Sequence, residues 1–208
     1  MPSGWSLSSR LIMALVLSLA GFTVSACATN QAVEEEAAKV RAENEAAAQE
    51  VRKTAEGGEV SAQNELGRLY YEGKGVRQDY REAKQWFEKA AKKGHAGAQV
   101  NLGTLYLRGE GAPQSAQMAL FWFSLAAEQE NALALGKLGM LHEQGRGVLQ
   151  DFIQAHKWYN LSAARGEERS GVAREALAKQ MTPDQIAEAQ RLAREWKPKE
   201  VKSARALP

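Results

Sequence analysis

AGAQVNLGTLYLRGEGAPQSAQMALFWFSLAAEQ, residues 96–129, decides the fold. Its first half sets Ala98, Leu102, Leu105 and Tyr106 at helical spacing, so one side of the segment is an apolar stripe. Gly109-Glu110-Gly111 then breaks the pattern. The residue just past a helix end often takes a left-handed conformation, which glycine adopts without steric cost. Ser115 stands where a second helix would be capped. The segment therefore predicts helix, glycine turn, helix.

Outward from this stretch the pattern repeats every 36 residues, over 58–93, 94–129 and 130–165. Ala62, Ala98 and Ala134 form one column; Leu66, Leu102 and Leu138 form another. The turn glycines recur as Gly73, Gly109, Gly145 and as Gly75, Gly111, Gly147. Gln78, Gln114 and Gln150 align, and so do Ala83, Ala119, Ala155. Trp86, Trp122 and Trp158 are followed by Phe87, Phe123 and Tyr159, and the strict period assigns the tryptophans to core packing. Gly67, Gly103 and Gly139 lie inside the first helix, where glycine costs about 1 kcal/mol relative to alanine. Their recurrence predicts a close approach of the partner helix. Asp79 and Asp151 are placed to cap the second helices, which alternate bulky and small residues, as in Ala83, Trp86, Phe87, Ala90 and Ala91. One hairpin cannot cover its own apolar face; stacking hairpins does, and the product is a solenoid.

These residues resemble the Sel-one-like repeats, 36-residue relatives of the tetratricopeptide repeat. The resemblance implies an all-α, right-handed superhelical solenoid of antiparallel helix hairpins. Three full units cover 58–165. Residues 27–57 read as a tether and capping helix. In it Ala47, Ala55 and Gly58 sit 36 before Ala83, Ala91 and Gly94, like the second helix of a degenerate unit. Residues 166–196 read as the closing pair, with Gly166 continuing the inter-repeat glycine column. Thr182-Pro183-Asp184-Gln185 opens an amphipathic helix through Ile186, Ala189, Leu192, Ala193 and Trp196. Two departures loosen the second hairpin: Glu130 replaces the inter-repeat glycine, and Ser115-Ala116 replaces the usual Asp-aromatic pair.

Residues 1–26 read as an export signal rather than as part of the fold. Arg10 supplies the positive end, and Leu11–Phe22 (LIMALVLSLAGF) is an apolar run too short to span a bilayer. Val24-Ser25-Ala26-Cys27 resembles the lipobox of bacterial lipoproteins, and Cys27 is the only cysteine in the chain. The resemblance implies cleavage before Cys27, a diacylglycerol on its sulfur and an acyl chain such as palmitate on the new amine. Two or more chains make such an anchor effectively permanent. Ala28, in place of an aspartate, leans toward the outer membrane, facing the periplasm. The alternatives are an inner-membrane lipoprotein and a soluble periplasmic protein whose free cysteine lies near the cleavage site.

A net charge of +2, from 27 Lys and Arg against 25 Asp and Glu, gives no case for nucleic-acid binding. A mean hydropathy of -0.45 excludes a multi-span membrane protein. Eighteen glycines against five prolines suit helices punctuated by glycine turns. The ends differ in charge: residues 28–58 hold seven Glu against four Lys and Arg, consistent with a long solvated helix. Residues 197–208 carry Lys197, Lys199, Lys202 and Arg205 against Glu200, and read as a disordered basic tail.

Catalytic constellations are scarce. His142-Glu143 does not continue to a second histidine, because Arg146 occupies that place. No Gly-x-Ser-x-Gly elbow and no phosphate loop occur. His95 reads as structural in the inter-hairpin turn, His142 as buried and hydrogen-bonded, and His156 as exposed. Some cysteine-rich bacterial members of the resembled family bind or hydrolyse β-lactams; the repeats here carry no cysteine, which argues against that subgroup. No metal or cofactor is expected beyond the lipid on Cys27.

Binding remains. In helical-hairpin solenoids the first helices line the concave surface that recruits partners. The first-helix positions outside the apolar columns are Glu65, Arg68 and Glu72, then Asn101, Thr104 and Arg108, then Lys137, Met140 and Gln144. Polar and varied from unit to unit, they fit a groove for one partner segment; taken singly, they also fit solvated helix faces. The sequence thus predicts a monomeric, non-enzymatic, lipid-anchored adaptor for an envelope protein or peptide. The alternatives are a penicillin-binding or β-lactam-hydrolysing enzyme, and a peptidoglycan- or lipopolysaccharide-binding module using the basic tail.

Overall fold

The structure, a computed structural model, describes residues 33–199. Residues 1–26, read from the sequence as an export signal, Cys27 and residues 200–208 lie outside the described residues. The chain divides into two compact units, up to Ala46 and from Ala47. Residues 33–56 are helical (α1); within the first unit, 33–46 are exposed apart from Asn44. Within the second unit, α1 is followed by α2 (Val60–Glu72), α3 (Tyr80–Lys92), α4 (Ala96–Arg108), α5 (Ala116–Ala127), α6 (Ala132–Gln144), α7 (Phe152–Ala163), α8 (Glu168–Ala178) and α9 (Pro183–Glu195). Among the described residues there is no strand, and no helix is long and apolar enough to cross a membrane.

The hairpins α2–α3, α4–α5 and α6–α7 are built alike. Gly73, Gly109 and Gly145 end the first helices at φ of 71°, 75° and 65°, each donating its N–H to a carbonyl in the last turn. The repeated glutamine closes the loop. Nε2 of Gln78, Gln114 and Gln150 donates to the carbonyls of Tyr71, Leu107 and Glu143, each at 2.8 Å. Carbonyls in the last turn of a helix have no partner within it, so the column answers a need that recurs in every unit. Asp79, Ser115 and Asp151 then cap the second helices. Ser115 does the work of the aspartates, and the second hairpin is as regular as its neighbours.

The glycines inside the first helices mark the point of closest approach. A Cβ on Gly67 would lie 2.5 Å from the Phe87 ring, one on Gly103 2.7 Å from Phe123, and one on Gly139 2.6 Å from Tyr159. The second turn glycine has a different role, between hairpins. A Cβ on Gly111 would lie 2.2 Å from the Tyr80 carbonyl oxygen at the start of α3, and one on Gly147 2.8 Å from the Ala116 carbonyl carbon at the start of α5. Each second helix also packs on the first helix of the next unit, so the core runs on through the stack. Phe87, Phe123, Leu102, Leu105, Leu138 and Leu141 are all buried.

The structure departs from the sequence reading in several places. Of the three repeat tryptophans Trp122 is buried, while Trp86 and Trp158 pack against the core but stay half-buried, under the ammonium groups of Lys89 at 3.6 Å and Lys157 at 4.1 Å from the ring centroids. In α1 Ala55 is buried as Ala91 is, but Ala47 is exposed and Ala48 is buried in its place. Glu130 takes the left-handed conformation of the glycine it replaces, with φ of 58°, and its carboxylate pairs with Arg165.

The closing pair is not a fourth hairpin. The columns of Leu102, Leu138 and of Gly103, Gly139 continue in α8 as Arg174 and Glu175. A glutamate stands where a second helix would press its aromatic ring, so α9 packs on α7 instead. Trp196 meets Trp158 edge to face, with ring centroids 5.8 Å apart. Ala189 and Ala193 are buried. Thr182 and Gln185 form a capping box at the start of α9.

Candidate functional site on the first-helix face

Helical geometry puts Glu65, Arg68 and Glu72 on one face of α2, and the residues 36 positions on share the matching faces of α4 and α6. None of the nine is buried. On α2 one cation stands between two carboxylates, leaving a net negative charge: Arg68 Nη1 lies 3.0 Å from Glu65 and Nη2 3.5 Å from Glu72. On α4, Thr104 donates to its own helix, to the Val100 carbonyl at 2.8 Å. Asn101 donates to Asn64 of α2 at 3.0 Å, and Arg108 donates to the Tyr71 hydroxyl at 2.5 Å. Both bonds join residues 37 apart rather than 36. The links between adjacent first helices thus slip by one position, which is why Asn64 and Tyr71 escape a column-by-column reading.

The third unit is different. Met140 packs against the core, which removes it from a freely presented row, and Gln144 is exposed. Lys137 is half-buried. Burial, with the charges of Arg108 and Arg169 added, holds its ammonium below the usual lysine range, and Glu167 opposes the shift only in part. Arg169 of α8 lies in a segment read from sequence as a cap, and no repeat column pointed to it. At the other end, a cleft of about 470 Å³ between α1 and α2 is lined by Glu50, Glu59, Glu65, Asn64 and His95, among others. The face therefore runs from acidic at the first hairpin to basic at the third.

The histidines do not join it as a catalytic set. His95 caps α4, its Nδ1 accepting the Ala98 N–H at 3.1 Å. His142 is half-buried and its Nδ1 has no hydrogen-bond partner, contrary to the expectation of a bonded one. His156, expected at the surface, is 3% exposed. It lies on α7, which packs against α8. Burial, assisted by the positive charge of Arg174, holds its pKa below the usual imidazole value of 6.5. The unfolded chain binds the proton first, so this stability is present above that value and lost as pH falls through it. The urea midpoint is expected to drop between about pH 7 and pH 5, and to drop less in His156→Gln; equal drops would show that His156 is not the group involved. Among the described residues, no group of three or more His, Cys, Asp or Glu side chains could hold a metal ion.

Stacked helix hairpins of constant length, with glycine-gated packing and a polar first-helix face, define an α-helical repeat protein. Residues 60–95, 96–131 and 132–167, more than half of the chain, match the Sel1 repeat, and the chain belongs to the Sel1 repeat family. One similar solved structure is a protective antigen present in uropathogenic Escherichia coli strains, which displays an SLR fold. It is 33% identical over 72% of this chain and 32% of that one, with a TM-score of 0.67. A Sel1 repeat protein from Oxalobacter formigenes is also 33% identical, over 65% of this chain and 58% of that one, with a TM-score of 0.56. The chain thus spans about a third of the first and somewhat over half of the second. No curated protein matches it. Sel1 repeats build helical scaffolds for protein interaction and are typically non-enzymatic.

Proposed function

We propose that this protein is a non-enzymatic adaptor of the bacterial cell envelope, held to the membrane by lipid on Cys27, that binds a segment of a partner protein on its first-helix face. The observation that carries the reading is the face itself. It is polar and differs from hairpin to hairpin, and it stands on a rigid repeat core whose own columns are nearly invariant. Positions that served only solubility would have no need to be tied from helix to helix, as Asn64 is to Asn101 and Tyr71 to Arg108. The anchor rests on the apolar run Leu11–Phe22 and the lipobox-like Val24-Ser25-Ala26-Cys27. Three hairpins offer room for a short segment, not a whole domain.

One experiment tests both halves. Cells expressing the full chain, Cys27→Ser, or a variant with Glu65, Arg68, Asn101, Arg108 and Lys137 changed to alanine are crosslinked and fractionated. The full chain is expected in the membrane fraction with a captured partner, Cys27→Ser in the soluble fraction, and the folded alanine variant without the partner. Membrane retention of Cys27→Ser would sink the anchor. An unchanged capture by the alanine variant would move the site elsewhere.

A further inference from the structure

Three cations converge on the basic end of the first-helix face. Arg108 closes α4, Lys137 lies in the second turn of α6, and Arg169 opens α8. Gly136, next to Lys137, abuts α8 so closely that a Cβ on it would lie 2.5 Å from the Ser170 hydroxyl, next to Arg169; Arg108 and Arg169 both oppose the Lys137 charge. Arg108 is tied to Tyr71, and among the described residues its only carboxylate contact is Glu110 at 3.9 Å. Neither Lys137 nor Arg169 forms an ion pair within 4.0 Å among the described residues. Glu167 is the nearest balancing charge, but its carboxylate is engaged by the Ser170 N–H at 2.6 Å as the cap of α8. Like charges held together on a folded surface are a standing cost unless a ligand offsets it.

The same surface exposes apolar side chains. Leu133 is 49% exposed and lies one turn before Lys137 on α6; Val172 is 69% exposed and lies one turn after Arg169 on α8. Apolar groups beside unpaired cations favour a ligand that brings both carboxylates and aliphatic side chains. The acidic cleft beyond α2 repels such a ligand from the other end of the face.

We propose that Arg108, Lys137 and Arg169, with Leu133 and Val172, form the docking site for an acidic segment of a partner protein that carries aliphatic residues among its carboxylates. This rests on the first-helix face being the protein-binding surface, and it supplies the chemistry and the polarity of the occupant. Carboxylates lie over α6 and α8, and any positively charged end of the segment lies toward Glu65 and Glu72 of α2.

Fluorescence anisotropy on the full chain tests the proposal with two labelled peptides, one of Glu-Glu-Leu repeats and one of Lys-Lys-Leu repeats. The glutamate peptide is expected to bind more tightly, and its affinity to fall as salt is raised. Lys137→Gln with Arg169→Gln is expected to weaken it about tenfold. Lys137→Glu with Arg169→Glu is expected to reverse the preference, with helicity unchanged by circular dichroism. Equal binding of the two peptides, or a preference untouched by the charge reversal, overturns the proposal. So does a dimer in sedimentation that dissolves in the reversed variant, since the occupant would then be a second copy of this chain. If the alanine variant loses its partner in cells while the glutamate peptide fails to bind, the acidic assignment falls and the first-helix face stands as the binding surface.

Discussion

Gly111→Ala is expected to lower stability by about 2–5 kcal/mol, a large part of what holds a small domain folded. Two effects add. The residue has φ of 70°, where an L side chain costs about 1–2 kcal/mol. A Cβ there would also lie 2.2 Å from the carbonyl oxygen and 2.5 Å from the carbonyl carbon of Tyr80. Those are backbone atoms at the start of a helix, so relief requires the second hairpin to move away from the first. Overpacking of that kind adds about 1–3 kcal/mol. Gly94→Ala isolates the first effect, because Gly94 has φ of 90° with nothing within 4 Å of the added carbon. Urea unfolding of both variants should place Gly111→Ala clearly below Gly94→Ala. Equal losses would mean that the turn glycine serves only the turn, and that the hairpins are not keyed together there.

That keying links fold to function. The first-helix face is assembled from three or four separate helices, and its bonds Asn64–Asn101 and Tyr71–Arg108 each cross from one hairpin to the next. A change in hairpin spacing at Gly147 would separate Arg108 from Lys137 without touching either, and one at Gly111 would separate Tyr71 from Arg108. Gly147→Ala should therefore weaken partner binding even in molecules that remain folded.

The repeat made most of this architecture legible before any coordinates. A glycine recurring inside a helix predicts a close neighbour, and Phe87, Phe123 and Tyr159 are those neighbours. A Gly-x-Gly at constant spacing predicts a left-handed turn, and both glycines have positive φ in every unit. What escaped were contacts whose spacing is not the period. The Tyr71–Arg108 and Asn64–Asn101 bonds are set by the slip between neighbouring helices, which a single sequence does not encode as a column. His156 has Phe152, Ile153 and Tyr159 at helical spacing on α7, but a single sequence does not show which neighbouring helix packs against that side, and the histidine is 3% exposed. The end of the repeat is legible in the sequence. Arg174 and Glu175 in the leucine and glycine columns forbid another repeat hairpin, and α9 packs on α7 with Ala189 and Ala193 buried.

The deepest expected loss inside a hairpin is at Phe123. Its ring is fully buried against Gly103, and Phe123→Ala should cost about 3–5 kcal/mol, from lost burial and from the cavity left behind. The pair also makes a sharper prediction, in which one substitution changes sign with its background. Gly103→Ala in the native protein gains about 1 kcal/mol of helix propensity. It also brings a methyl within 2.7–3.2 Å of three atoms of the Phe123 ring, an overlap worth about 1–3 kcal/mol, so the net effect is a loss. With Phe123→Ala already present the ring is gone, and the same glycine replacement should stabilise, by up to about 1 kcal/mol. The four unfolding curves of this cycle measure the coupling directly. A Gly103→Ala effect of the same sign in both backgrounds would mean that the glycine is kept for some reason other than the aromatic ring, and the packing argument for all three repeats would fail with it.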